Sequence, residues 1–145
     1  MMIHTTKSFK ETEELAREFI FSITPLESQA KVVGLCGDLG AGKTAFVKGV
    51  AKALNVTETV TSPTFIIEKI YSLSKESKFK KLIHIDAYRL SGGEDLLSIG
   101  WEEISKNPKN LIFIEWPERV ENILPKEIQN IQFEFVDDST RIIRL

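Results

Sequence analysis

The apolar positions in the first third of the chain follow the spacing of a helix, a strand and a second helix. Ser8-Phe9-Lys10-Glu11 has the S-x-x-E form of a capping box, and the helical stripe that it opens is predicted to end before Pro25. The short run 31–36 is apolar and rich in β-branched residues, which predicts a buried strand. Residues 44–54 again carry apolar side chains at helical spacing, so a second helix is predicted there.

The middle of the chain predicts two strands that lie side by side. A polar turn at 61–64 leads into a predicted strand over 65–71, and a second strand is predicted over 81–88. The charged connection between them, 74–80, is too short for a parallel crossover. The two strands are therefore predicted to pair antiparallel.

The last third predicts a buried strand followed by a hairpin. The continuous apolar run 111–114 is typical of a central strand covered on both faces. The other predicted elements are a helix over 94–104, a short helix at 117–120, and a terminal hairpin formed by 131–136 and 141–145. Alternating helices and strands over 145 residues predict one α/β domain, 1–145, with three layers and a mixed, mostly parallel central sheet.

The connection between the strand 31–36 and the helix 44–54 carries the clearest chemistry. It fits G-x-x-x-x-G-K-[ST] at every fixed position, with the residues Gly37-Asp38-Leu39-Gly40-Ala41-Gly42-Lys43-Thr44. In a P-loop of this form the backbone N–H groups cradle phosphate oxygens, the lysine reaches the β- and γ-phosphates, and the threonine hydroxyl binds Mg²⁺. The sequence therefore predicts a P-loop NTPase-like fold that binds a nucleoside triphosphate with magnesium.

Two acidic residues are candidates for the other half of this site. Asp86 and Glu115 directly follow the mostly apolar runs 82–85 and 111–114, and ligands of such sheets bind beyond the carboxyl ends of the strands. A carboxylate is needed to complete the magnesium shell and to order the attacking water. The residues alone leave open which acid contacts the metal. His84 shares a strand face with Asp86 and is interpreted as the partner of a neighbouring acid.

The bulk properties limit where the protein works and what it binds. The formal net charge of −2 predicts no strongly basic face, so the chain is not expected to hold nucleic acid alone or to bind DNA. No apolar stretch approaches 18 residues, and no membrane association is expected. A single cysteine allows no internal disulfide, which suits a reducing cytoplasm.

Several motifs together resemble one family. GDLGAGKTAFVKG, SPTF, HIDAYRL and IEWPERV follow one another in an order and spacing similar to the TsaE family, also called YjeE. Its members are bacterial P-loop ATPases of the tRNA threonylcarbamoyladenosine pathway. The resemblance covers roughly 8–125, and the terminal hairpin is similar in pattern only. It implies that Thr44 and Glu115 hold Mg²⁺ and that Asp86 is needed for hydrolysis.

The same resemblance implies a set of nucleotide contacts. The P-loop backbone and Lys43 would hold the phosphates, and Phe9 and Arg141 would border the adenine and ribose. Ala45 departs from the family, many members of which have a second threonine there. The full set implied to contact ATP, or ADP as product, is Phe9, Asp38, Leu39, Gly40, Ala41, Gly42, Lys43, Thr44, Ala45 and Arg141. Lys43, Asp86 and Glu115 form the expected catalytic set.

The family resemblance also implies an accessory function. TsaE joins the TsaD–TsaB pair, and its ATP hydrolysis supports repeated cycles of tRNA modification, so tRNA would be contacted indirectly. The isolated chain is expected to be a weak ATPase that its partners stimulate.

Three alternative functions differ in what the sequence should contain or what the protein should do. A small-molecule P-loop kinase usually has an arginine-rich lid, but the arginines here are scattered and no lid-sized insertion exists. A switch GTPase would carry an N/T-K-x-D guanine reader, which is absent from the sequence. A scaffold with a structural nucleotide would not hydrolyse it.

Overall fold

A computed structural model of the protein describes residues 2–60 and 67–145. The strands are β1 (Ile3–Thr6), β2 (Lys31–Cys36), β3 (Glu68–Ser72), β4 (Lys81–Asp86), β5 (Asn110–Glu115), β6 (Gln129–Phe135) and β7 (Arg141–Arg144). The helices are α1 (Phe9–Ser22), α2 (Lys43–Ala53), α3 (Gly93–Ser98) and α4 (Trp101–Lys106), with a 3₁₀ helix over Pro117–Ile123. No helix among these residues is long and apolar enough to cross a membrane.

The strands form one mixed sheet in the order β1-β7-β6-β2-β5-β4-β3. Strands β2, β4, β5 and β6 are parallel to one another. Strand β3 pairs antiparallel with β4, and β7 pairs antiparallel with both β6 and β1. Among the strands that the described residues form, β3 and β7 therefore run against the common direction. The predicted mixed, mostly parallel sheet is confirmed, as are the antiparallel pairing of β3 with β4 and the terminal hairpin.

The sheet separates two hydrophobic cores, which makes the domain three-layered. Strand β5 lies at the centre, and its alternate side chains face opposite sides. Leu111 and Phe113 join the core beneath α1 and α2, while Ile112 and Ile114 join the core beneath α3, α4 and the 3₁₀ helix. Every residue of β5 is buried, as the continuous apolar run 111–114 predicts.

Aromatic packing fixes α2 against the sheet and so positions the start of that helix. Phe46, fully buried, has its ring centroid 5.7 Å from that of Phe19 on α1, 6.4 Å from that of Phe113 and 5.5 Å from that of Phe133. Truncating such a residue to alanine typically costs about 3–5 kcal/mol. The P-loop therefore ends on a helix whose first turn is held by the centre of the core.

Both ends of α1 are capped by side chains. The backbone N–H of Glu11 donates to Ser8 Oγ at 3.1 Å, which confirms the predicted helix start. At the other end Lys78 donates to the carbonyls of Ile20 and Ile23. These are carbonyls that a helix C-terminus leaves without intrahelical partners.

The structure differs from the sequence-based prediction in one helix and one strand. The helix expected over 94–104 is broken into α3 and α4 at Gly100, whose φ of 89° lies in the left-handed region and ends α3. Strand β1 is not predicted from its sequence, because its residues gain strand structure only by pairing with β7. The predicted turn 61–64 and the first residues of the predicted strand 65–71 lie outside the described residues.

Candidate nucleotide site

The P-loop connects β2 to α2 with backbone conformations that favour glycine. Gly37, Gly40 and Gly42 have φ values of 149°, 79° and 109°. A Cβ on Gly37 would also lie 2.6 Å from the carbonyl oxygen of Phe133, so the loop passes too close to β6 for any side chain there. The motif thus adopts the strand, loop and helix arrangement that its sequence predicts.

Lys43 is the centre of the phosphate end of this loop. Its side chain is only 4% exposed, and Nζ donates to the carbonyl of Gly37 at 2.6 Å. The ammonium group lies 4.2 Å from the centroid of the Trp116 ring and 3.9 Å from Glu115 Oε1. Burial lowers the pKa of Lys43 below its ordinary value, while the nearby Glu115 and Asp86 carboxylates act in the opposite direction.

The two candidate acids lie side by side at the carboxyl ends of adjacent parallel strands. Asp86 on β4 and Glu115 on β5 are register partners, and both are buried. Asp86 Oδ1 accepts a hydrogen bond from the backbone N–H of Tyr88 at 2.9 Å. Glu115 Oε2 lies 2.7 Å from His84 Nε2, so His84 has an acidic partner, but this partner is on the neighbouring strand rather than on its own.

The donor atoms around Lys43 fit a magnesium ion bound together with phosphate. Mg²⁺ prefers oxygen ligands and is usually held by one or two carboxylates plus substrate phosphates. Glu115 Oε1 is beyond hydrogen-bonding distance of Lys43, and Thr44 follows that lysine on the first turn of α2. Among the described residues, no three His, Cys, Asp or Glu side chains form a group that could hold a metal alone. A site completed by a nucleotide agrees with this donor set.

Trp116 forms a wall of the phosphate end. Its φ of 59° is in the left-handed region, which is unusual for a bulky residue, and its backbone N–H donates to the carbonyl of Leu35 at 3.3 Å. The indole ring contacts Lys43 on one side and lies 5.2 Å from the ring of Tyr88. Neither contact follows from local spacing, so the sequence alone does not place Trp116 beside Lys43 or Tyr88.

A cleft of about 370 Å³ lies on the other side of the P-loop. Phe9 at the start of α1 and Arg141 at the start of β7 are brought together there beside Gly42 and Ala45. The Cζ atom of the Arg141 guanidinium lies 4.6 Å from the centroid of the Phe135 ring. Arg141 Nη1 donates to the carbonyls of Asp137 and Thr140. The side chain of Phe9 is 54% exposed, so an aromatic face is available at the cleft.

The remaining predicted residues lie on the P-loop between these two regions. Asp38, Leu39 and Gly40 are exposed at its tip, where the Leu39 side chain is 72% exposed. Ala41 is buried, and its N–H donates to the carbonyl of Asp38 at 3.1 Å. The predicted nucleotide contacts therefore lie on the P-loop, on the first turn of α2 or in the cleft beside Gly42.

Comparison with known proteins agrees with the motifs. Residues 6–143 match the family model described as threonylcarbamoyl adenosine biosynthesis protein TsaE. The chain is 35% identical to the tRNA threonylcarbamoyladenosine biosynthesis protein TsaE of Rickettsia prowazekii, over 97% of this chain and 91% of that protein. It is 34% identical to the protein of that name from Borreliella burgdorferi, over 99% and 98% of the two chains.

A solved structure is similar to the whole domain. The crystal structure of Bacillus subtilis YdiB superposes with a TM-score of 0.77 at 30% sequence identity, covering 98% of this chain and 82% of that one. The likeness therefore covers nearly the whole of this chain.

Proposed function

The chain belongs to the TsaE family of threonylcarbamoyl adenosine biosynthesis proteins, and on this premise we propose that it is a Mg²⁺-dependent ATPase of that pathway. The observation that carries the proposal is the buried position of Lys43 between the Gly37 carbonyl, the Trp116 ring and Glu115. A buried lysine needs compensating contacts, because burial disfavours its charged form. Phosphate oxygens would compensate for that cost.

ATP would lie along the P-loop with its phosphates over Lys43. The backbone N–H groups of 38–44 and the Lys43 ammonium would bind the β- and γ-phosphates, helped by the N-terminus of α2. The adenine and ribose would occupy the cleft between Phe9 and Arg141, next to Gly42 and Ala45. An aromatic ring and a guanidinium plane offer two stacking surfaces to a base.

Hydrolysis would use the two strand-end acids in different roles. Thr44 and Glu115 would hold Mg²⁺, which neutralises charge on the phosphates when bound. Asp86 would orient a water molecule and accept its proton as the water oxygen attacks the γ-phosphorus. The bond between that phosphorus and the β,γ-bridging oxygen breaks, giving ADP and inorganic phosphate. The Tyr88 N–H would hold Asp86 in place for this step.

The partners that we propose are TsaD and TsaB, with tRNA contacted through them and the complex acting in the cytoplasm. An arginine finger can contribute about 10³–10⁵ in rate to P-loop hydrolases, and we propose that the partners supply or order such a group. The chain alone would therefore turn over slowly. Trp116 contacts Lys43 directly, so a partner that moved this ring could adjust the lysine. Trp116→Ala should lose partner stimulation more than nucleotide binding.

Phosphate release with and without the TsaD–TsaB pair tests this function. The wild-type chain should release phosphate slowly alone and faster with the pair, and omission of Mg²⁺ should abolish release in both cases. Fast turnover that ignores the added pair would contradict the accessory role. Transfer of the γ-phosphate to a small acceptor, detected in an acceptor screen, would favour a kinase instead.

A further inference from the structure

His84 is the one histidine in the candidate site, and it does not belong to the predicted catalytic set. It lies on β4, two residues before Asp86, and its side chain is fully buried. Its Nε2 is 2.7 Å from Glu115 Oε2. A carboxylate that binds a metal ion only accepts hydrogen bonds, so the proposed role of Glu115 requires the proton of this bond on Nε2. Within the described part of the chain, the buried Nδ1 has no hydrogen-bond partner.

An ordinary core histidine is a poor explanation for this arrangement. Buried polar atoms are nearly always paired, and because Nδ1 has no partner among residues 2–60 and 67–145, this position is unfavourable compared with an apolar side chain of similar size. The hydrogen bond to Glu115 is the contact that only a donor such as histidine can supply here. The polar side chain is therefore explained by what it does to Glu115.

The two oxygens of Glu115 have different surroundings. Oε2 is bound by His84, whereas Oε1 faces Lys43 at 3.9 Å, too far for a direct hydrogen bond. Lys43 Nζ and Glu115 Oε1 already form an ion pair at 3.9 Å, and a glutamate released from His84 could shorten that pair to a direct hydrogen bond. The shortened pair would occupy the lysine that phosphate needs and the carboxylate oxygen that a metal needs. Anchoring Oε2 keeps both groups available.

We propose that His84 is a positioning residue, which anchors Oε2 of Glu115 and so presents Oε1 to the metal while leaving Lys43 for the phosphates. The inference rests on the proposed role of Glu115 as a magnesium ligand. Residues that orient a metal ligand in this way typically contribute about 10- to 100-fold to metal affinity or activity.

Calorimetry of ADP binding, with Mg²⁺ and with a chelator, tests the proposal on the full chain. The variants are His84→Leu, which has no donor, and His84→Gln, whose amide can still donate to Glu115. His84→Leu should lose about 10- to 100-fold of the affinity gained from Mg²⁺, and His84→Gln should retain most of it. The matched control is His4→Leu on β1, which should keep the wild-type gain.

A double variant separates positioning from general structural damage. In the Glu115→Gln background, His84→Leu should have no further effect on the Mg²⁺-dependent gain, because the group that it positions is already altered. An undiminished effect in that background would overturn the proposal. The proposal would also be overturned if His84→Leu kept the wild-type gain in ADP affinity from Mg²⁺. It would likewise be overturned if His84→Gln lost as much of that gain as His84→Leu.

Nitrogen NMR of the wild-type imidazole covers the case in which His84→Leu does not fold. The proposal requires a proton on Nε2 and none on Nδ1, and the opposite tautomer would overturn it. A wild-type chain without any Mg²⁺-dependent gain would contradict the proposed function and this inference together. If the wild-type chain shows the Mg²⁺-dependent gain in ADP affinity and both His84 variants keep it, only the inference about His84 would be contradicted.

Discussion

The two ends of the candidate nucleotide site are built in opposite ways. The phosphate end consists of buried charged groups at the centre of the sheet, where Lys43, Asp86 and Glu115 are each no more than 5% exposed. The base end is an open cleft between Phe9 and Arg141, formed where the first helix meets the last strand. One end is held by the core and the other by the edge of the sheet.

This difference suggests a division of labour. Buried charges interact strongly because water does not screen them, so the phosphate end can supply most of the binding energy and the chemistry. The exposed base end can supply only stacking and a few polar contacts, and its contribution should be selective rather than large.

The largest effect is expected from Asp86→Asn. The change keeps the size of the side chain but removes its capacity to accept a proton, so phosphate release in the presence of the partners should fall by about 10²–10⁴-fold. ADP affinity should change far less. Asp95→Asn on α3 is the matched control. Wild-type phosphate release by Asp86→Asn would show that Asp86 is not part of the active site.

Lys43→Ala should have the next largest effect. Loss of a charge-assisted contact of about 1.5–3 kcal/mol corresponds to a roughly 10- to 150-fold weaker affinity. The loss should be similar for ADP and for inorganic tripolyphosphate, because the lysine contacts phosphate only. Lys48→Ala, an exposed lysine on the same helix, should leave both affinities unchanged. An unchanged ADP affinity in a folded Lys43→Ala chain would refute the P-loop assignment.

Arg141→Ala should have a smaller and more selective effect. Loss of a stacking contact of about 0.5–1.5 kcal/mol predicts a roughly 2- to 12-fold weaker ADP affinity, with tripolyphosphate affinity retained. Arg144→Ala, whose partner is Glu134 on β6, is the control from the same strand. Equal losses for ADP and tripolyphosphate would mean that Arg141 acts on the phosphates rather than on the base.

The smallest effect is a pH dependence that originates at Lys43. Burial lowers its pKa in the folded chain, so between that pKa and the ordinary value of 10.5 the unfolded chain binds more protons. Stability of the nucleotide-free chain should therefore rise with pH in this interval, while ATP affinity falls as the lysine becomes neutral. Denaturant titrations and calorimetry at several pH values measure the two trends, and Lys43→Met should lose both.

The contrast between the two ends also explains what the sequence could predict. The P-loop and the acids at 86 and 115 are local signals, since each acid comes directly after a mostly apolar run and ends its strand. The bond between His84 and Glu115 spans 31 residues and depends on strand register, so no local pattern indicates it. The same is true of the ring of Trp116 against Lys43.

The residues of the base end could not be predicted from local sequence patterns. Phe9 and Arg141 are near opposite ends of the chain, and β1 pairs with β7 to bring them together. Family resemblance suggested these residues, while periodicity did not indicate β1 at all. The helix expected over 94–104 was wrong for a simpler reason, because Gly100 has a left-handed conformation that ends the first of two short helices.

The central claim is that both ends belong to one nucleotide site, and backbone amide NMR during titration with ADP and Mg²⁺ tests it most directly. The account predicts shifts in the P-loop amides 38–44 and, at the same ADP concentrations, in Phe9 and Arg141, with tripolyphosphate shifting the P-loop alone. The claim would be contradicted if the P-loop amide shifts saturated while the amides of Phe9 and Arg141 did not shift. It would also be contradicted if the amides of Phe9 and Arg141 shifted while those of the P-loop did not.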